Sequence, residues 1–194
     1  MKLLAAMEIL TKQLKDELVV TNISSAARSL YAAGDRDRNL YSVTMGLASS
    51  VGLGLALALP TKKVIAVDGD GSLLMNLGSL ATIANEGPPN LVLIVADNEC
   101  YEGPGGQPTA TAGKTDLAEV GRGAGIKNSL TVRSLEEFEK AVKKSLAAQE
   151  LGLVVAKVEK ETGVKRPMAL HRLENTFRFL RALRDEGLIE QWYE

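Results

Sequence analysis

Two short stretches of this chain, Val64-Ile65-Ala66-Val67 and Leu91-Val92-Leu93-Ile94-Val95-Ala96, are apolar at every position. A strand with one wet face alternates apolar and polar side chains, so runs without alternation predict strands covered on both faces of a parallel sheet. Parallel neighbours require a crossover, and Asn76 to Glu86 has the helical character to provide one. The pattern extends in both directions. Upstream lie a helix with Leu3, Met7, Leu10 and Leu14 on one face, a β-branched run at Leu18 to Thr21, a Ser-rich turn and a helix through Arg28 to Ala33. A polar loop, Gly34 to Asn39, leads to Met45 to Leu59, apolar on all sides and rich in small residues, as a helix buried against a close neighbour would be. Downstream the chain predicts a helix at Asp116 to Gly123, a strand near Ser129 to Val132, a helix at Ser134 to Gln149 and a strand at Leu153 to Val158. Strands alternating with helices predict a three-layer α/β fold, a mostly parallel sheet with helices on both faces.

The 194 residues suit one such domain, assigned to 1–163, with a helical tail at 164–194. In the tail, Leu170, Leu173, Phe177, Leu180 and Leu183 share a helical face expected to dock on the domain or on a partner subunit. With 23 basic against 24 acidic residues and no long block of one sign, nucleic acid and acidic membrane surfaces have little to grip. The single cysteine, Cys100, excludes an internal disulfide framework and a four-cysteine metal site from this chain alone. Glu8 interrupts the apolar N-terminus too early for a signal peptide, and Val51 to Leu59 is too short to span a membrane. A cytoplasmic protein with small-molecule or protein partners is expected.

Both apolar runs end in polar clusters. Val67 is followed by Asp68-Gly69-Asp70-Gly71-Ser72, and Ala96 by Asp97-Asn98. In an open α/β sheet ligands bind beyond the carboxyl ends of the strands, so the two clusters share the place where a ligand would sit. Asp70 offers an anionic oxygen and Asn98 a neutral one, a donor set suited to Mg²⁺ shared with phosphate oxygens. Gly69 and Gly71 are expected to let the backbone turn tightly and approach a ligand. Ser72 can add a hydroxyl, and a helix starting at about Leu73 to Asn76 can add amide donors for a diphosphate.

Gly69-Asp70-Gly71 with the distant Asn98 resembles the signature of the thiamine-diphosphate-dependent enzymes. Met45 to Leu59, Asp68 to Asn85 and Asp97 to Thr109 resemble the C-terminal diphosphate-binding domain of the 2-oxoacid decarboxylases in that superfamily, those of sulfopyruvate and phosphonopyruvate above all. The resemblance runs from about Leu18 to Val158. It implies a thiamine diphosphate held through Mg²⁺, with Asp70, the Asn98 side chain and the Cys100 carbonyl as metal ligands. It further implies that Met45 supports the bent cofactor, that the Val43 carbonyl accepts from the aminopyrimidine, and that Ser25, Ser72 and the Gly103 amide serve the diphosphate. Transketolase-like chains continue the motif with acidic and Gln-rich residues, unlike Ser72-Leu73-Leu74-Met75-Asn76.

In such enzymes a Glu on a separate pyrimidine-binding domain activates the cofactor, and this chain has room only for the diphosphate domain. The resemblance therefore implies a hetero-oligomer with a pyrimidine-binding, α-type subunit, acting on a small anionic 2-oxoacid such as 3-sulfopyruvate. A carboligase subunit and a noncatalytic cofactor-binding partner are the alternatives. Two departures bear on substrate choice: Pro104 stands where the relatives carry a hydroxyl residue, and Ala27 where a Ser is usual. His171 lies in the tail beyond the matched region and is expected at the surface or an interface. Arg28, Arg36 and Arg38 are candidates for attracting an anion, against the ordinary expectation that scattered arginines are solvated.

Overall fold

The computed structural model describes residues 1–160 and 168–190. Its strands are β1 (Leu18–Asn22), β2 (Asn39–Val43), β3 (Val64–Gly69), β4 (Leu91–Asp97), β5 (Cys100–Tyr101), β6 (Gln107–Pro108), β7 (Asn128–Val132) and β8 (Gly152–Lys157). Six of them form one all-parallel sheet in the order β2-β1-β3-β4-β8-β7, and β5 and β6 make a small antiparallel hairpin. β1 and β4 are buried at every residue. Alternate side chains serve opposite layers, which is why the runs lack polar alternation. Val19, Ile65, Ile94 and Val154 join the core under α1 (Leu3–Gln13), α2 (Ser25–Ala33) and, later in the chain, the helix Leu135–Ala147. Leu18, Ala66, Leu93 and Leu153 join the core on the other side.

That second layer is built from α3 (Ala48–Ala58), α4 (Asp70–Leu74), α5 (Ser79–Glu86) and α6 (Leu117–Ala124), with α7 (Leu135–Ala147) on the first face and α8 (Arg172–Asp185) on the second. Asp116 caps α6, and a reciprocal Ser134–Glu137 capping box starts α7. The three-layer α/β architecture is the one expected. Among the described residues no helix is long and apolar enough to cross a membrane.

Three expectations are corrected. The polar loop is found at Gly34 to Arg38, but from Asn39 an unanticipated strand, β2, follows it at the edge of the sheet. Its sequence hides it, because Asn39 is fully buried where an apolar residue would be sought. The buried Asn39 side chain donates through Nδ2 to the Tyr41 hydroxyl at 2.8 Å, and Asn175 of α8 serves the backbone beside it: its amide donates to the Asn39 carbonyl at 2.8 Å and accepts the Tyr41 N–H at 2.7 Å. The Asn175 side chain thus supplies to the sheet edge what a neighbouring strand would, and α8 covers it.

The second correction concerns the expected face of α8, of which only Leu183 and, just ahead of the helix, Leu170 pack on the domain. Asn175, Phe179 and Leu183 are buried, whereas Leu173, Phe177 and Leu180 face outward. Arg178 fixes the helix through two bonds to Asp35, at 2.6 and 2.7 Å, and Glu186 pairs with Lys62 at 2.8 Å. The proposed boundary between 163 and 164 lies outside the described residues. Third, α3 is not buried all round. Gly52 sits so close to β3 that a Cβ there would lie 2.8 Å from the Ala66 Cβ, yet Leu57 on the far side is 49% exposed.

Replacing Phe179 by Ala is expected to lower the stability of the chain by about 3 kcal/mol, while Phe177→Ala changes it by less than about 0.5 kcal/mol. Urea unfolding of the isolated chain measures both, and the reverse ranking would show that α8 docks by its other face.

Candidate functional site

From adjacent positions in the sheet, the chain leaves β1 through α2 toward β2 and leaves β3 through α4 and α5 toward β4, in opposite directions. Connections that part in this way open a crevice beyond the strand ends. A cavity of about 350 Å³ lies there, lined by Asn22, Ser25 and Arg28 after β1, by Gly69 to Ser72 after β3, and by Asn98, Cys100 and Gly103 after β4. Met45 lines it as well. Of the residues singled out in the sequence, Ser25, Met45, Gly69, Asp70, Gly71, Ser72, Asn98, Cys100 and Gly103 therefore share one cavity. Val43 is not part of the lining, and its carbonyl accepts the Ile23 N–H at 2.7 Å, leaving one lone pair for any ligand.

Local backbone devices aim these groups. Gly46 has φ +81°, a conformation that L side chains rarely adopt, and so turns the chain from β2 into α3 with Met45 presented to the cavity. The turn is tied down from α4 and beyond: the Gly46 N–H donates to Ser72 Oγ, and Asn76 Nδ2 donates to the Gly46 carbonyl, both at 2.8 Å. Ser72 thus holds the Met45 turn besides lining the cavity. After β4, Glu99 adopts φ +61°, a strained value for a residue with a Cβ. Its N–H bonds to Asp97 Oδ1 at 3.1 Å, and the Cys100 N–H bonds to Asn98 Oδ1 at 3.2 Å. Glu102 accepts from Asn98 Nδ2 at 2.7 Å, which turns the amide so that its oxygen can serve as an acceptor or ligand.

The glycines do different work from that expected. Neither Gly69 nor Gly71 has a positive φ. Gly71 is small because the Tyr101 ring packs over it; a Cβ there would stand 2.5 Å from Tyr101 Cε1 and 3.3 Å from the Thr109 methyl. The helix expected at about Leu73 begins at Asp70, which becomes the first residue of α4.

Asn22 is the functional residue missed in the sequence. Its oxygen accepts from Ser24 Oγ at 2.6 Å, while its Nδ2 is buried without a partner and lies in the cavity lining beside Gly69. A buried amide donor without a partner at the edge of a cavity calls for an acceptor. The only signal was its place at the end of a buried strand next to Ser24. Among the arginines, Arg28 reaches the cavity, whereas Arg36 donates to the carbonyls of Lys15 and Glu17 and Arg38 pairs with Glu186. His171 caps α8, its Nδ1 accepting the Leu173 N–H at 3.3 Å, and takes no part in the cavity. Burial pushes the Cys100 thiol upward, which disfavours a nucleophilic thiolate.

The set of hard oxygen donors, Asp70 and Asn98, with an open amide donor opposite, fits a phosphate-bearing group bridged by a divalent cation. Comparison with known proteins points the same way. The family profile "Thiamine pyrophosphate enzyme, C-terminal TPP binding domain" matches residues 22–156. The chain is similar to sulfopyruvate decarboxylase subunit beta of Methanocaldococcus jannaschii, 42% identical over 173 residues that cover 87% of this chain and 89% of that protein. To the sulfopyruvate decarboxylase of Methanosarcina acetivorans it is 44% identical over 146 residues, 75% of this chain but 38% of that one. To the phosphonopyruvate decarboxylase of Streptomyces viridochromogenes it is 41% identical over 153 residues, 78% of this chain and 38% of that one. In fold, a thiamine diphosphate-dependent 4-hydroxybenzoylformate decarboxylase from Rhodococcus jostii superposes with a TM-score of 0.71 at 19% identity, covering 84% of this chain and 33% of that one.

Asp68 and Asp70 are each 2% exposed. Burial raises the Asp68 carboxyl to about 6, opposed by the Gly69 amide, and raises Asp70 as well, opposed by the Thr109 hydroxyl. A carboxyl that binds its proton more tightly folded than unfolded lowers stability as pH rises, here between about 4 and 6. Asp68→Asn removes that term, so the variant is expected to gain on the order of 2 kcal/mol relative to the parent between pH 4 and pH 7. Urea midpoints across that range test it, and parallel curves for the two proteins would refute the buried-carboxyl origin.

Proposed function

Because this chain belongs to the thiamine pyrophosphate enzymes, matching their C-terminal TPP-binding domain over residues 22–156, we propose that it is the diphosphate-binding subunit of a Mg²⁺-dependent 2-oxoacid decarboxylase. The observation that carries the reading is the meeting of Asp70, Asn98 and the open Asn22 amide in one cavity at the switch point of the sheet. In this reading Asp70, the Asn98 oxygen and the Cys100 carbonyl hold Mg²⁺. Asn22 Nδ2, Ser25, Ser72 and the Gly103 N–H serve the diphosphate, Met45 supports the cofactor from its apolar side, and the remaining lone pair of the Val43 carbonyl accepts from the aminopyrimidine. When bound, thiamine diphosphate supplies the carbon nucleophile and the electron sink that a decarboxylation needs.

Arg28 supports an anionic substrate. It lines the cavity, and among the described residues it has no ion-pair partner, so it is free to hold the distal anionic group of a substrate such as 3-sulfopyruvate. Support for a second subunit comes from length. This chain covers 89% of a protein named as a β subunit but 38% of a relative named simply as the decarboxylase, whose remaining length has room for a pyrimidine-binding domain. The outward Leu47 and Met75, 44% and 61% exposed, flank the Met45–Gly46 turn beside the cavity and offer apolar surface for that subunit to cover.

The test is CO₂ release from 3-sulfopyruvate, with other oxoacids in parallel, by this chain co-expressed with a pyrimidine-domain partner and supplied with thiamine diphosphate and Mg²⁺. Activity is expected from the pair and not from the chain alone; an active homogeneous preparation of the chain would overturn the two-subunit reading. An acyloin product in place of the aldehyde would turn the assignment to a carboligase. In the pair, Asp70→Ala or Asn98→Ala is expected to weaken Mg²⁺-dependent cofactor binding by more than about 100-fold, beyond what loss of an outer partner does. Arg28→Ala is expected to raise KM for an anionic oxoacid about tenfold with a smaller change in kcat.

A further inference from the structure

Behind the cavity runs a buried chain of oxygens that the proposed cofactor site does not explain. Thr109 Oγ1 donates to Asp70 Oδ2 at 2.6 Å, and Thr111 Oγ1 lies 3.1 Å from the same oxygen and 2.9 Å from Thr109 Oγ1. Thr111 also reaches Asp97 Oδ1 at 2.7 Å, and Lys157 Nζ closes the series on Asp97 Oδ2 at 2.8 Å. Thr109, Thr111 and Asp97 are at most 5% exposed. Each hydroxyl has one proton; the shortest contacts assign the Thr109 proton to Asp70 and the Thr111 proton to Asp97.

We propose that Thr109 is the positioning residue that aims Asp70 at the divalent cation. The inference rests on the metal role proposed for Asp70. Neither threonine lines the cavity, so Oδ2 is turned away from it and Oδ1, which takes no side-chain hydrogen bond among the described residues, is the oxygen left for the ion. A neutral hydroxyl suits this task. It fixes the carboxylate's rotation without cancelling the charge that binds the cation, as an arginine or lysine would. The one cation of the network, Lys157, sits a carboxylate further back and pairs with Asp97 and Glu99.

The second glycine of the motif gains a reason here. Because Gly71 has no Cβ, Tyr101 and the Thr109 methyl close over α4, and this contact holds the Thr109 hydroxyl against Asp70. A β-branched side chain with its methyl packed has one preferred rotamer, so the donor is set before any ligand arrives.

The experiment measures thiamine diphosphate binding by equilibrium dialysis as a function of Mg²⁺, using the complex of this chain with its pyrimidine-domain partner. Thr109→Val keeps the packed methyl and removes the hydroxyl; the Mg²⁺ concentration for half-saturation is expected to rise roughly 10- to 100-fold, and Thr109→Ser to restore it to within about threefold. Should Thr109→Val fail to assemble, Thr109→Ala removes the same hydroxyl and carries the same test. Asp70→Ala serves as the reference. An unchanged Mg²⁺ dependence in Thr109→Val beside a lost one in Asp70→Ala overturns the positioning role alone, whereas an unchanged dependence in Asp70→Ala overturns the metal site and the inference with it.

Discussion

The parting of the chain after β1 and β3 is the constraint from which the candidate site follows. Two parallel strands side by side whose crossovers go to opposite faces cannot fill the space beyond their ends with their own connections. The polar residues that follow each strand face that space at no cost to the core, and the buried strands position them rigidly from below. Asn22, Asp70 and Asn98 come from three different crossovers, after β1, β3 and β4, and only this topology makes them neighbours. The loops around them are then shaped by contacts between elements, such as Ser72 on Gly46 and Tyr101 on Gly71, which lock turn to turn.

Burying carboxylates at such a place creates an electrostatic problem. Asp68, Asp70 and Asp97 are each at most 2% exposed, within a few residues of the strand ends, and a single lysine, Lys157, meets one of them. Desolvation raises both Asp68 and Asp70. Structural acids buried for stability are ordinarily paired, because an uncompensated buried charge is among the most destabilising features a core can hold. The excess of negative charge on the cavity side is therefore better understood as a cost carried for binding than as part of what stabilises the sheet. A divalent cation would relieve it, which ties the stability of this region to occupancy of the site in the reading proposed.

Much of this was legible in the sequence, for identifiable reasons. The unalternating runs gave up β3 and β4 because strands buried on both faces have a distinctive composition, and the motif residues followed them directly. β2 was not legible: Asn39 and Ser42 break its apolar character, and the group that pairs with its edge backbone, the Asn175 amide, lies 136 positions later in the chain. α8 was misjudged for a related reason. Leu173, Phe177 and Leu180 form a convincing stripe, but the helix is oriented by Arg178 to Asp35 and Asn175 to β2, polar contacts that no hydrophobic period encodes. Asn22 escaped notice since an asparagine ending a strand looks like a turn residue, and only its unpartnered amide in the folded cavity distinguishes it.

The lining of the cavity suits binding better than proton transfer. The cavity is walled on the sheet side by rigid strand ends, yet among the described residues its lining contains no histidine, and Glu102, the one glutamate there, is engaged by the Asn98 amide. Groups able to bind a charged headgroup are abundant, while groups free to exchange a proton with a bound substrate are scarce. Meanwhile exposed apolar side chains, Ile23, Leu47 and Met75, stand beside the cavity, with Ile23 itself in its lining. A monomer that kept this arrangement would leave apolar side chains wet beside a binding cavity. A second polypeptide that covered them would enclose the cavity and could bring the missing acid–base group in the same step, so that assembly and completion of the chemistry would be one event.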